Sequence, residues 1–170
     1  MIRIKPPTRA RAGFTFIEIM MVVMIMATMA MFAVPMIRSS NAGALDAAAR
    51  LLRSDLERAQ VTAMACPDRR IGLRFDQDGG GWQLVDADAP GVALRDEYSG
   101  QPISIRLGQG RGQVAADVRL DPTGLAGEML VFDPLGGLEN PGPPARLRLR
   151  SDENTAAVRI SAATGWITID

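Results

Sequence analysis

Residues 14–37 read FTFIEIMMVVMIMATMAMFAVPMI, an apolar run in which Glu18 is the only charge. Seven of the chain's ten methionines fall inside it, between Met20 and Met36. Its uncharged part, residues 19–37, would extend about 28 Å as a helix at 1.5 Å per residue. With its flanks, that is enough to cross a hydrocarbon core of roughly 30 Å. Thr28 can bond a carbonyl of its own helix, and Pro35 lies near the end, where a kink is tolerated. A buried core helix is the competing reading. A helix apolar on every face over roughly five turns does not suit so small a domain.

Working outward, residues 1–13 carry Arg3, Lys5, Arg9 and Arg11 and no acid. Positive charge is retained on the cytoplasmic side, so this leader should stay inside while the remainder is exported. A secretory signal has its small-residue cleavage site after the apolar region. Here Arg38-Ser39-Ser40-Asn41 follows, and the expected processing point is Gly13, ahead of the run. Glu18 inside the run would cost roughly 2.5–3.5 kcal/mol on insertion scales, so it needs a partner or a task. Cutting between Gly13 and Phe14 creates an α-amine four residues before it, in the same chain or in a neighbouring subunit. Snorkelling to the interface is the simpler alternative.

Gly13-Phe14-Thr15-Phe16-Ile17-Glu18, with its basic leader and apolar helix, resembles the class III signal of type IV pilins and type II secretion pseudopilins. The resemblance covers roughly residues 9–40. It implies cleavage after Gly13 by a prepilin peptidase, methylation of Phe14, and a role for Glu18 in guiding assembly into a filament. Ala12 departs from the pattern, where a basic residue often precedes the glycine; Arg11 supplies that charge one place earlier.

Beyond the run, the sequence from Asn41, a helix restart or cap, to Cys66 is alanine- and leucine-rich. Leu45, Ala49, Leu52, Leu56, Ala59 and Ala63 recur at three- and four-residue steps and draw one apolar stripe. Asp46, Arg50, Arg53, Asp55, Glu57 and Arg58 are assigned to the other surface. Cys66-Pro67 ends the helix, because the residue before proline disfavours helical backbone. The stripe is expected to pack on the domain that follows.

From residue 67 the pattern becomes short alternating runs between Gly, Pro and Asp clusters, a β signature. Residues 71–75 and 82–85 flank DQDGGG as a hairpin. Further strands are expected at 103–107, 114–120, 129–132, 146–150, 156–160 and 166–169. Leu147/Leu149, Val158/Ile160 and Ile167/Ile169 would share one sheet face. The fold class is therefore α+β: a long N-terminal helix, membrane-spanning in its first half and amphipathic in its second, packed on an antiparallel β-sheet domain. The organisation read is a cleaved leader (1–13), a transmembrane and assembly helix (14–37), an amphipathic helix continuing into the periplasm (38–66) and a β-rich periplasmic domain (67–170).

Phe132-Asp133-Pro134-Leu135-Gly136-Gly137 and residues 158–167, VRISAATGWI, resemble the F-x-P-x-G stretch and the final strand turn of the GspH/FimT group. That resemblance implies a minor pseudopilin of a type II secretion system, placed at the filament tip, helping to drive folded proteins across the outer membrane. It implies other pseudopilins, the prepilin peptidase and the inner-membrane secretion platform as partners, with a single pass through the bacterial inner membrane. A FimT-like minor pilin for pilus assembly, adhesion or DNA uptake is the alternative.

Composition removes most enzyme chemistry. With no histidine and Cys66 as the one cysteine, Ser-His-Asp triads, Cys-His dyads, His-ligated metals and disulfide frameworks are excluded. No cofactor, metal or catalytic residue is expected. Asp76-Gln77-Asp78-Gly79-Gly80-Gly81 lacks the EF-hand oxygen ligands and reads as a turn. Gly108-Gln109-Gly110-Arg111-Gly112 lacks a P-loop lysine and reads as a loop. Asp96-Glu97 reads as a solvated loop pair. Arg146, Arg148 and Arg150 alternate on one strand face and could track phosphates, but no basic tail follows and Asp152-Glu153 lie close. The net charge of zero is itself an average. Without residues 1–13 the chain holds 15 basic against 19 acidic side chains and no lysine, a further count against nucleic acid as the partner.

Overall fold

The computed structural model describes residues 15–121, 125, 128–140, 142–152 and 154–170, the side chains of 31–41 excepted. One helix, α1 (Phe16–Ala65), runs through 50 residues without a restart at Asn41. By its contacts the chain divides into two units, Met1–Arg38 and Ser39–Asp170.

In the first unit, every described side chain from Thr15 to Ala30 is exposed, including Phe16, Ile17, Met24 and Met29. Thr28 turns its hydroxyl onto the carbonyls of Met24 (3.1 Å) and Ile25 (2.8 Å), as expected of a hydroxyl on an apolar helix. Among the described residues no helix is long and apolar enough to cross a membrane. The expected span at 14–37 lies partly outside them, at Phe14 and at the side chains of 31–37.

The second unit begins with the stripe. Leu45, Ala49, Leu52, Leu56, Ala59 and Ala63 are all buried, together with Ala48. They form one core cluster with both of the sheets described next. The helix stops at Ala65, before Cys66-Pro67.

Where one sheet was expected, the described residues form two of four strands each. The first has the order β3-β2-β1-β5, built from β1 (Ile71–Phe75), β2 (Gly81–Asp86), β3 (Ser104–Arg106) and β5 (Met129–Val131). β1 and β2 form the expected hairpin, Leu73 opposite Leu84 and Phe75 opposite Trp82. The second has the order β4-β6-β7-β8, from β4 (Arg119–Asp121), β6 (Ala145–Ser151), β7 (Asn154–Ile160) and β8 (Ile167–Ile169). All pairings are antiparallel. In β6 burial alternates strictly, Leu147 and Leu149 inward and Arg146, Arg148 and Arg150 outward. Val158, Ile160 and Ile167 share the inward face and Ile169 is half-buried.

The strand expected over 114–120 is corrected. Gly110–Ala115 is a short 3-10 helix, and only residues 119–121 pair as a strand. Gly112 is the reason: a Cβ there would lie 2.5 Å from the Arg106 carbonyl oxygen, so the chain is drawn tightly against β3 and turns. The loop expected at 108–112 therefore ends inside this helical turn. DQDGGG does make the hairpin turn, with Gly79 at φ +64°.

Candidate assembly surface

The helix start carries the first group of residues. Thr15 precedes α1, and the Glu18 N–H reaches the Thr15 carbonyl at 3.1 Å and its hydroxyl at 3.4 Å. Thr15-Phe16-Ile17-Glu18 thus has the S/T-x-x-E spacing of a capping box. The Glu18 carboxylate sits in the first turn, where the helix dipole favours negative charge. This local role was legible in the spacing beside the expected assembly role. Gly13 and Phe14 lie outside the described residues.

A second feature joins the helix to two loops. The Gln60 side-chain amide donates to the carbonyl of Gly136 at 2.7 Å and to that of Thr164 at 3.2 Å. The Asp133 carboxylate accepts from the N–H groups of Leu135 and Gly137, at 2.8 and 2.9 Å, and so folds its own turn. Leu138 N–H donates to the Ala162 carbonyl at 2.8 Å. Gly165, at φ +63°, lies so close to Gly136 that a Cβ would sit 1.9 Å from the Gly136 carbonyl oxygen. The two short glycine-based segments singled out in the sequence therefore meet each other and α1. Around them Leu135 (89% exposed) and Trp166 (69%) present large apolar surface, with Val61 and Met64 also exposed. Gln60 carried no signal in the sequence, since its partners are 76 and 104 residues away.

Asp55 corrects the reading of the polar helix face. It is buried, accepts from the Trp82 indole N–H at 2.9 Å, and lies 3.6 Å from the Arg111 guanidinium. A buried carboxylate needs such partners. Its place three residues after Leu52 and four before Ala59 put it on the stripe, a signal the charge obscured.

The other acidic candidates have structural work. Arg106 holds Asp76 at 3.1 Å and Asp78 at 2.6 Å. The Gly80 N–H, with Arg106, keeps the Asp78 carboxyl below the usual carboxylate range. Asp96 is held by the Arg58 guanidinium and by Ser99, which push its carboxyl well below that range. Among the described residues no group of three or more Cys, Asp or Glu side chains is placed to hold a metal ion. Arg146, Arg148 and Arg150 are brought together, exposed, along one groove of the second sheet.

With this geometry in place, comparison with known proteins is informative. A family model, type II transport protein GspH, matches residues 48–165. That stretch takes in the buried stripe from Ala49 onward, both sheets up to β7, and the Gln60 junction.

The chain belongs to the GspH family.

Pilin-like protein PilA1 of Thermus thermophilus is 35% identical over 129 residues, which cover 74% of this chain and 78% of that protein. No solved structure matches the chain. A pilin-like, pseudopilin-type role follows from membership of the GspH family, as does assembly with other pilin-type subunits.

Proposed function

We propose that this GspH-family chain is a minor pseudopilin of a type II secretion system, inserted in the inner membrane and assembled into the pseudopilus near its tip. The observation that carries this reading is the bare first half of α1. Sixteen consecutive described positions, 15–30, expose their side chains, and most are large and apolar. Such a surface is unstable in water and calls for lipid or other apolar helices around it. The second half of the same helix is satisfied within its own unit by the core cluster.

In this reading the prepilin peptidase cuts after Gly13, Phe14 is methylated, and residues 14–37 anchor the chain with residues 67–170 in the periplasm. The methylated amine and Glu18 then neutralise each other between subunits as helices pack side by side. The work is mechanical: the growing bundle of helices carries the periplasmic domain outward against a folded cargo at the secretion platform. No side chain is asked to perform chemistry. A type IV pilus minor pilin is the second reading, favoured by the similarity to PilA1, a pilin-like protein.

Mass spectrometry of the membrane-purified protein tests the processing: a methylated Phe14 is expected at the N-terminus, and any other terminus removes the claim. Glu18→Ala should still insert but fail to enter the filament; normal incorporation would end the assembly role. Loss of exoprotein secretion with intact pili, on deleting the gene, separates the first reading from the second.

A further inference from the structure

The outward face of the second sheet is charged in a way that folding alone does not explain. Pairing places Arg119 directly opposite Arg150, and Arg146 directly opposite Arg159. Like charges directly across an antiparallel pair destabilise the sheet. Arg119 turns back onto the carbonyls of Ala116 and Val118, and Arg159 holds Asp170 at 2.7 Å. The ion pairs among the described residues do not include Arg146, Arg148 or Arg150, whereas Arg58, Arg70 and Arg106 each hold carboxylates. The three line a shallow groove of about 340 Å³ floored by Thr155, Ala156 and Ala157.

One transverse row of this face defines its width. Asp121 pairs with Arg148, Arg148 with Ala157, and Ala157 exchanges backbone hydrogen bonds with Asp170. The row therefore has a carboxylate at each end, three strand spacings or roughly 14 Å apart. A nucleic-acid duplex is wider than that lane and would lie over both carboxylates. A single nucleic-acid strand would fit its width, but no aromatic ring lines this groove on which bases could stack; Trp166, the exposed ring ahead of β8, lines a separate groove with Asp46, Arg50 and Arg53. An extended polypeptide fits both width and spacing. Arginines two residues apart on β6 stand about 6.8 Å apart, the repeat at which alternate side chains of an extended peptide face one side.

We propose that Arg146, Arg148 and Arg150 form a docking lane for an extended acidic segment of a partner protein, whose carboxylates recur at every second residue. Each guanidinium meets one carboxylate in a charge-assisted hydrogen bond, and the bound segment neutralises the two cross-strand arginine pairs. The lane belongs to the β-rich unit and is independent of whether the filament is a pseudopilus or a pilus.

The full chain in detergent micelles, titrated against a fluorescent peptide of alternating Glu and Thr, tests this by anisotropy. Binding is expected, weakening as salt rises. Arg148→Gln should weaken it about tenfold, the scale of one charged pair. Replacing Arg146, Arg148 and Arg150 together by Gln should abolish it without lowering the unfolding temperature, because cross-strand repulsion is relieved. A merely structural ladder would instead lose stability. The proposal is overturned if no peptide binds at low salt, or if Arg148→Gln changes nothing. It is equally overturned if a peptide with its Glu residues in one block binds as well, or if single-stranded DNA binds more tightly.

Discussion

The two halves of α1 are one continuous helix in two different situations. From residue 16 to 30 every described side chain is exposed, although nearly all are apolar. From residue 45 to 63 the apolar side chains of the stripe are between 0% and 6% exposed. Backbone geometry does not distinguish them, so what differs is the source of stability. The second half has its partner surface in its own unit. The first half, apolar all round, has no single face to bury.

Substitutions can break this comparison, the largest effect first. Leu52 is fully buried on the stripe, and Leu52→Ala should cost roughly 2–5 kcal/mol. Urea unfolding read through the buried Trp82 measures it, and a loss under that range would mean the stripe is not the core's foundation. Gly165→Ala comes next, at about 3 kcal/mol, from left-handed backbone strain and a Cβ forced onto Gly136. Its hydrogen-exchange signature should be loosening of 133–137. Asp55→Ala leaves the buried Trp82 N–H unpaired and should cost about 2 kcal/mol, with a shift in tryptophan emission.

Acid sharpens the comparison within the second unit. Asp96 has a folded pKa depressed chiefly by its hydrogen bond from Arg58. Its contribution is therefore complete above the ordinary carboxylate range and is lost as pH falls below it. Arg58→Gln should therefore lower stability slightly above the carboxylate range and leave it unchanged in acid, which flattens the acid limb; the loss is small because the pair is only part-buried. The smallest effect is expected in the first half. Met24→Ala should leave the urea midpoint within about 0.5 kcal/mol of the parent and, under the proposed anchoring, act only on retention in the membrane fraction. A loss as large as that of Leu52→Ala would erase the distinction between the halves.

Much of this was legible beforehand, and the parts that were not share a cause. The stripe could be read because a helix against a sheet repeats its contacts every three or four residues. The β1–β2 hairpin could be read because its turn is local, and the inward faces of β6, β7 and β8 because alternation marks them. That the strands divide between two sheets could not, since alternation names a face and not a neighbour. The 3-10 segment was misread because Val114, Ala116, Val118 and Leu120 fall at every second position as in a strand, while the deciding contact, Gly112 against Arg106, is made through space. Asp55 was misplaced by charge alone. The Thr15–Glu18 cap was in plain sight. The Gln60 junction was not, because it joins segments far apart in the chain.

That junction also governs the order of events as the chain is made. Gln60 and Thr164 are separated by 104 residues, and closing so long a loop costs entropy before its contacts give any return. β8 follows the Gly136–Gly165 contact, so the second sheet gains β8 only after the chain has emerged past residue 169. Until then the stripe on α1 lacks part of its cover. For that interval both halves of the helix are greasy surfaces in need of protection, and only on completion does the molecule become asymmetric.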